Sequence, residues 1–458
     1  MVQLAVWVLA CLTMAWLLQS RPIWGAGLTI LLWTAVPAIA GHHLTGLSGG
    51  ALAFHPATWL VLSIFVVQLV LNPSVIGAAL GRHALLLLVV FTFSAVALLT
   101  SRLMGSGGTR LLMDQIVGPM ILFWLVVAFA YRSGRWMLFL RNVILFAAAG
   151  ESILAVVQSI LGRIVFYESD YLKLYWFDPE KFERWMGTTD SPLVLSLALC
   201  VSAALALSVR NWALRFSLLT LFLVGALIVQ SRTGTAVMCA IILYSILRAH
   251  MVLWARALTC LAVVIVGYYL ASSTIIAGLA GRLANDTGSA DARLRAVWFV
   301  YDNWVDYLAT GQGLTSSYGI ARDAGLQTSI ESSFLMYVVD VGFILALAYF
   351  GAQFAMLIRY GWQRGLLGGT LAALIGCGLQ HTFSGVAGTN LSGTYIWAAL
   401  ALMVVAWTAA PPVPGTSSAA RRGVLATGRP YRRRSPAKAA PGSVGADLEG
   451  APEVRSAP

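Results

Sequence analysis

Charged side chains are scarce in this chain: they make up 10% of its 458 residues, whereas hydrophobic residues make up 59%. A soluble globular domain carries about 25% charged residues, so this composition excludes an ordinary soluble protein. Apolar runs of roughly 17 to 25 residues recur instead, and this is the length at which a helix crosses a bilayer. The composition therefore predicts an all-α, polytopic integral membrane protein.

Side chains that hold metals or form cross-links are also few. The five cysteines all lie inside apolar runs and form no Cys-x-x-Cys pair, which is typical of small packing residues. His42, His43 and His55 share one predicted loop but lack metal-ligand spacing on a defined helix, and His381 stands alone in the sequence. We therefore expect no metal and no cofactor.

About thirteen apolar segments are candidate membrane spans, so we expect one membrane domain, residues 1–410, with 12–13 transmembrane helices. An Asn-Pro pair interrupts the third segment. The segments are residues 2–18, 23–40, 58–79, 84–99, 115–130, 137–161, 191–209, 213–230, 234–248, 253–275, 331–357, 365–383 and 391–409.

The formal net charge of +12 is distributed as expected for membrane topology and not for nucleic-acid binding. The connections on one side are short and purely basic, which marks them as cytoplasmic. Residues 162–190 and 274–330 carry nearly all the loop acids and are predicted to be extracytoplasmic loops of a cytoplasmic (inner) membrane protein. Residues 411–458 are rich in Pro, Ala, Gly, Ser and Arg, which predicts a disordered, basic cytoplasmic tail.

One arginine, Arg232, lies at the outer end of a predicted span, in the sequence Gln-Ser-Arg-Thr-Gly. A charge at that depth is costly and is usually paired or functional. The alternative is an arginine whose head group reaches to the lipid phosphates.

Two further arginines, Arg293 and Arg295, lie on a predicted helix of the second large loop. The planar guanidinium group suits a phosphate or pyrophosphate ligand. The alternative is ordinary ion pairing with aspartates of the same loop, namely Asp291, Asp302 and Asp306.

Aromatic residues accompany both large loops. The predicted helix continues through Trp298, Tyr301 and Trp304, and this spacing predicts a lipid-facing stripe. Arg184 closes the first large loop, whose aromatic residues suit either sugar stacking or an interfacial belt.

Three acidic residues lie in or beside apolar segments. Glu331 begins a predicted helix, where a carboxylate either caps the helix or, beside arginines, acts as a general base. Glu151 and Asp340 lie inside predicted spans, where ionisable residues are functional candidates.

Three motifs occur in order between residues 184 and 360, and together they resemble the O-antigen ligase and O-antigen polymerase superfamily of bacterial envelope proteins. Each is weak alone, and their order and spacing make the resemblance. The motifs are Ser231-Arg232-Thr233-Gly234; Arg293-Leu294-Arg295 with Trp298 and then Gly311-Gln312-Gly313; and Glu331-Ser332 followed by Gly342.

The resemblance implies a GT-C-like, metal-independent glycosyltransferase that takes a glycan from an undecaprenyl-diphosphate carrier. Arg232 and either Arg293 or Arg295 would hold the diphosphate, and Glu331 would help to deprotonate the acceptor hydroxyl. Arg184 and Trp298 are candidates for further contacts with the diphosphate or the glycan.

Glu331 stands where ligases of this superfamily carry histidine, which favours a polymerase whose acceptor is another lipid-linked repeat. Two alternatives stay open: a ligase with a lipid, wall or protein acceptor, and a flippase or exporter of lipid-linked glycans. The expected partners are the lipid-linked glycan, membrane lipids and a chain-length regulator or flippase, with no nucleic acid.

Overall fold

The computed structural model describes residues 1–130, 134–174, 177, 184–248, 287–326, 330–361, 367–382 and 390–409. Every regular element of these ranges is helical, as the composition predicts. The predicted span at 253–275, the first part of the second large loop and the predicted tail at 411–458 lie outside the described residues.

The N-terminal half contains nine helices in the described ranges. Proline at the first helical position starts several of them, where its missing N–H costs no hydrogen bond. They are α1 (Val2–Leu17), α2 (Pro22–Ala35), α3 (His42–Thr45), α4 (Pro56–Leu71), α5 (Pro73–Arg82), α6 (Ala84–Leu103), α7 (Thr109–Phe129), α8 (Gly134–Leu161) and α9 (Glu168–Tyr171).

The second half contributes nine more helices within its described ranges. Ser191 and Asn211 cap two of these helices through side-chain oxygens that accept backbone N–H groups. The helices are α10 (Pro192–Ala206), α11 (Trp212–Ile228), α12 (Arg232–Arg248), α13 (Thr287–Asp302), α14 (Ser316–Asp323), α15 (Ser333–Val341), α16 (Phe343–Gly361), α17 (Leu367–Leu379) and α18 (Asn390–Ala409).

The chain is a helical membrane-spanning protein. Among the described residues, five helices are long and apolar enough to cross a membrane, and there are up to seven if each of two bent pairs counts as one span. Five shorter apolar helices cover further predicted segments. The expected number of 12–13 spans stays a prediction.

Of the long helices that the structure describes, α18 is the most buried, and it packs against α7, α10, α16 and α17. Its Trp397 indole donates to the hydroxyl of Tyr349 on α16 at 3.3 Å. One continuous apolar core lies between α18 and the helices around it. Helix α6 lies at the periphery, and most of its residues are at least partly exposed. The core therefore holds together the helices whose ends carry the candidate site residues.

Three predicted spans are broken in the structure. The span 23–40 bends by 94° after α2, so the expectation of a single helix is wrong there, as it is for 331–357. The predicted interruption of the third span at its Asn-Pro pair is confirmed. The third span bends by 109° between α4 and α5, where Pro73 provides no N–H to continue the helix. The predicted span 331–357 divides into α15 and α16 at Gly342, whose φ of 108° lies in the region that favours glycine. A Cβ at Gly342 would also meet the carbonyl oxygen of Ala309.

The described part of the second large loop is structured. The predicted loop helix is confirmed as α13, although it ends at Asp302, and Trp304 lies in a following 3₁₀ turn. The Gly311–Gly313 turn then pairs with the end of α15: Gln312 N–H donates to Val339 O at 2.9 Å, and Gly313 N–H donates to Asp340 O at 2.8 Å. This turn fixes the loop against α15.

Asp340 has a structural role in this arrangement. Its buried carboxylate accepts the N–H groups of Thr315 at 3.0 Å and Ser317 at 2.7 Å. Those bonds satisfy the first turn of α14, where a negative charge is favourable. The acid that the sequence marked as a functional candidate thus anchors the loop.

Glu151 plays a similar part for the first large loop. Its two carboxylate oxygens lie 2.6 Å from Thr188 Oγ1 and 2.7 Å from Thr188 N. About two turns further along α8, the Gln158 amide donates to Gly187 O and accepts from Gly187 N. These bonds hold the segment from Met186 to Asp190 on α8.

Candidate functional site

The structure brings Arg293 of α13 and Glu331, which precedes α15, into direct contact. Arg293 Nε donates to Glu331 Oε2 at 2.6 Å, and a second guanidinium nitrogen, Nη2, lies 2.6 Å from the same oxygen. The arginine side chain is 49% exposed and the glutamate 18% exposed. Among the described residues, Arg293 therefore pairs with the residue that begins the next motif and not with Asp291, Asp302 or Asp306.

Arg293 and Glu331 line a cleft of about 290 Å³. The remaining walls come from α13, from the start of α15 and from the residues after α17. The cleft is lined by Arg293, Ala296, Val297, Ile330, Glu331, Ser332, Leu335, His381 and Thr382. A cation, a carboxylate and an imidazole thus meet at a cleft whose other walls are largely apolar.

His381 is the cleft residue that sequence reasoning missed. It lies just after α17, and its ring packs edge-on against Phe350 with centroids 4.8 Å apart and against Phe334 at 6.5 Å. Only tertiary packing joins it to Glu331, so no spacing in the sequence could have revealed the pair.

Gln380 fixes the backbone beside His381. Its carbonyl accepts the N–H of Ser333 at 3.2 Å, which attaches the start of α15 to the end of α17. Its side-chain amide donates to Gln353 Oε1 of α16 at 2.8 Å. Gln380 therefore connects α15, α16 and α17 on one side of the cleft through these two hydrogen bonds.

Arg232 lies at the first position of α12, directly after a buried turn. Gln230 of this turn has a φ of 54°, and Ser231 Oγ accepts the N–H of Gly234 at 3.2 Å. The N-terminus of a helix favours anions because its first N–H groups have no carbonyl partner within the helix and because its dipole is positive. A partly exposed guanidinium at this point adds to the same preference.

Arg184 lies with this turn: its Nε donates to the carbonyl oxygen of Val229 at 3.0 Å. The end of the first large loop is therefore attached to the residues that immediately precede Arg232. The candidate arginines form two local groups, Arg184 with the turn before Arg232 and Arg293 with Glu331. Their convergence on one ligand stays a prediction.

The outward face of α13 is apolar and aromatic. Trp298 is 53% exposed and meets Tyr301 edge-on with ring centroids 5.5 Å apart, whereas Ala296 and Val300 are buried on the opposite face. Arg295 is also exposed, and it lies outside the cleft residues that Arg293 joins. The helix thus presents an exposed aromatic face beside the cleft, and the predicted contact of this face with lipid stays a prediction.

A separate polar cluster joins two connections on the N-terminal side. Asp170 Oδ2 lies 2.7 Å from His43 Nε2, its Oδ1 lies 2.7 Å from Lys173 Nζ, and His42 Nε2 lies 3.7 Å from Oδ1. Burial raises the pKa of Asp170, but the hydrogen bonds and charges of Lys173 and His43 outweigh it and hold the pKa below 3.8.

The ligand atoms of His42, His43 and Asp170 lie within 4.8 Å of one another, as in a site that could hold a metal ion. Lys173 already neutralises the carboxylate oxygen that faces His42. Sequence reasoning missed the cluster because Asp170 lies 127 residues after His43. We describe it as a polar clasp between the two connections.

No protein-family model and no curated protein sequence matches this chain.

Proposed function

We propose that this chain is a polysaccharide polymerase. It would transfer a glycan from an undecaprenyl-diphosphate carrier to the acceptor hydroxyl of another lipid-linked repeat, on the outer side of the cytoplasmic membrane. The observation that carries the proposal is the Arg293–Glu331 pair at a cleft beside the exposed apolar face of α13. This combination suits a substrate that has a charged head and a lipid tail.

The exposed face of α13 suits contact with lipid. An amphipathic helix with exposed tryptophan and tyrosine residues lies at a membrane interface, where the rings are partly apolar and partly wet. Trp298 and Tyr301 give α13 such a face. A polyprenyl tail would remain in the lipid beside this face while its diphosphate reaches Arg293.

The positive charge of the candidate arginines suits a diphosphate leaving group. Departure of a diphosphate leaves negative charge on its oxygens, and positioned guanidinium groups stabilise such charge in the transition state. Arg293 lines the cleft, and Arg232 adds a guanidinium at a helix N-terminus. In the proposed GT-C-like arrangement these arginines neutralise the leaving group, and the reaction uses no nucleotide sugar and no metal.

The Arg293–Glu331 pair itself adds little to folding. Ion pairs with this degree of exposure contribute about 0 to 1 kcal/mol. A diphosphate in the cleft would bind Arg293 beside Glu331, whose carboxylate keeps the guanidinium group in position. The pair is therefore better suited to binding an exchangeable anion than to stabilising the fold.

The test uses purified protein in proteoliposomes with the undecaprenyl-diphosphate-linked repeat as the only substrate, and products are resolved by length. The wild type is expected to produce a ladder of polymers that the Arg232→Ala variant does not produce. A ladder that persists in a normally inserted Arg232→Ala variant would count against the role of this arginine.

Other products would identify the alternative activities. Transfer of glycan to an added lipid or protein acceptor without a ladder would indicate a ligase. Movement of intact lipid-linked glycan to the other leaflet would indicate a flippase, and the proposed site assignments would fail together. A chain-length regulator as partner predicts a ladder whose modal length changes when that regulator is added.

A further inference from the structure

His381 lines the cleft together with Arg293 and Glu331. We infer that His381, and not Glu331, is the group that accepts the proton of the acceptor hydroxyl. The inference rests on the proposed function and deepens it by assigning the general base of the same site.

The position of His381 is fixed by its surroundings. Its ring packs against Phe350 and Phe334, and its backbone N–H donates to Gly378 O at 3.1 Å. The neighbouring Gln380 is bonded to both α15 and α16. A general base must be held within hydrogen-bond reach of its substrate, and this support meets that requirement.

The environment keeps the imidazole in the form that can take a proton. Within the described residues, His381 Nδ1 is buried and has no hydrogen-bond partner. A charged imidazolium would bury an N–H without an acceptor, which is costly. Burial of the ring therefore favours the neutral imidazole over the charged imidazolium.

Glu331 is less suited to this role in the same structure. Its Oε2 faces two guanidinium nitrogens of Arg293, both at 2.6 Å, so Arg293 occupies the lone pairs of this oxygen. Glu331 then acts as a positioning residue that aims Arg293 into the cleft. The charged and titratable groups that line the cleft with His381 are Arg293 and Glu331.

Proton transfer to His381 accompanies the displacement of the diphosphate by the acceptor. The acceptor hydroxyl oxygen forms a bond to the anomeric carbon of the donor glycan as its proton moves to a ring nitrogen of His381. The bond between that carbon and the diphosphate oxygen breaks, and its electron pair leaves with the polyprenyl diphosphate. Arg293 neutralises the charge that develops on the departing oxygen.

The pH dependence of ladder formation tests the assignment in proteoliposomes. In the wild type, the rate should rise with pH as His381 loses its proton and should level off above its pKa. His381→Asn and His381→Gln, whose amides occupy the positions of Nδ1 and Nε2, should each reduce the maximal rate about 10²- to 10⁴-fold and remove this rise. Glu331→Gln should retain the rise and increase the KM for the lipid-linked donor.

His43→Asn is the matched control, since His43 is 53% exposed on another connection and lies outside the cleft. It should leave both the rate and its pH profile unchanged. Thermal unfolding midpoints in detergent identify any variant that fails to fold. The wild-type profile remains decisive in that case, because a rate that does not decrease as the pH falls from about 7 to about 4 contradicts a buried histidine base.

The outcomes separate the two proposals. A wild-type ladder with an equally active, folded His381→Asn variant overturns the assignment of His381 and leaves the polymerase proposal intact. Loss of the pH rise in Glu331→Gln, with its retention in His381→Asn, makes Glu331 the base instead. A wild type that forms no ladder from the lipid-linked repeat overturns the polymerase itself.

Discussion

Arg293 and Glu331 lie 38 residues apart in the chain, and Nε and Nη2 of the arginine both meet one carboxylate oxygen of the glutamate at 2.6 Å. This contact joins the loop helix α13 to the start of α15. Arg295 lies two residues further along the same helix. Of these two arginines, only Arg293 lines the cleft.

Replacing Arg293 should therefore affect activity more than replacing Arg295. Arg293→Ala removes a charged hydrogen-bond donor that contributes about 1.5–3 kcal/mol when it binds an anion. This corresponds to a loss of roughly 10- to 100-fold in kcat/KM for the lipid-linked donor. Length-resolved products in proteoliposomes measure the loss.

Arg295→Ala is the matched control for that experiment, since it removes the same side chain from an exposed position on the same helix. Its kcat/KM should stay within a factor of about three of the wild type, because surface substitutions usually change energies by less than about 0.5 kcal/mol. Equal losses in the two variants would contradict the assignment of the cleft to Arg293.

The Gly311–Gly313 turn should tolerate no side chain at Gly311. A Cβ there would overlap the backbone of Asp340 and Val341. The turn is hydrogen-bonded to the same part of α15, through Gln312 to Val339 and through Gly313 to Asp340. Overpacking of this kind costs about 1–3 kcal/mol. Gly311→Ala is expected to lower the thermal unfolding midpoint in detergent and to reduce transfer activity.

Gly319→Ala provides the comparison for Gly311→Ala. Gly319 lies on α14, and a Cβ at this position would meet nothing within 4 Å. Alanine favours a helix over glycine by about 0.5–1 kcal/mol, so this variant should be as stable as the wild type or more stable. A Gly311→Ala protein with an unchanged midpoint would show that the loop is not held by this turn.

Gly187 should be equally sensitive in the first large loop. Its φ of 64° is left-handed, which costs a residue with a side chain about 1–2 kcal/mol, and a Cβ would overlap Glu151 Oε2. Gly187→Ala should lower the unfolding midpoint, whereas Gly150→Ala on α8, where the space is open, should not. If both variants have the same unfolding midpoint as the wild type, Glu151 does not hold this loop.

The buried carboxyl group of Asp190 should make the stability of the fold depend on pH. Burial raises its pKa from 3.8 to about 6, against hydrogen bonds such as that from Ala38 N–H at 2.6 Å. The folded protein then binds more protons than the unfolded chain between about pH 4 and 6, so stability decreases as pH rises through this window. Asp190→Asn should weaken this dependence in thermal unfolding measured from pH 4 to 7.

The contribution of Asp170 to stability should change with pH in the opposite direction to that of Asp190. Its folded-state pKa is lowered by Lys173 and His43, so its stabilising effect is present above pH 3.8 and is lost as pH falls. Asp170→Asn is expected to lower the midpoint at neutral pH and to have less effect in acid. Identical pH profiles for the Asp170 and Asp190 variants would contradict both assignments.

The helical class and most helix positions could be predicted from the sequence, because long apolar runs report bilayer length and proline marks helix starts. The predicted loop helix was also confirmed as α13. The break at Gly342 was missed, since glycine within a continuous apolar run does not reveal a φ of 108°. That break depends on the close approach of Ala309, which is a tertiary contact.

The candidate site could also be predicted only in part, because tertiary contacts bring its residues together. Glu331 and Arg293 carry charges beside apolar segments and were identified as candidates, but their direct pairing depends on how α13 packs. His381 gave no signal, because it enters the cleft from the end of α17. The Asp170 clasp likewise depends on two connections that are far apart in the chain.

Helix α15 acts as a spacer of fixed length between the cleft and the docked turn. Its nine residues span about 13 Å, with Glu331 before one end and the acceptors Val339 and Asp340 at the other. An inserted residue would lengthen it by about 1.5 Å and rotate one end by about 100° relative to the other. Natural variants of this protein should therefore differ in the length of the surrounding connections and keep the same number of residues in α15.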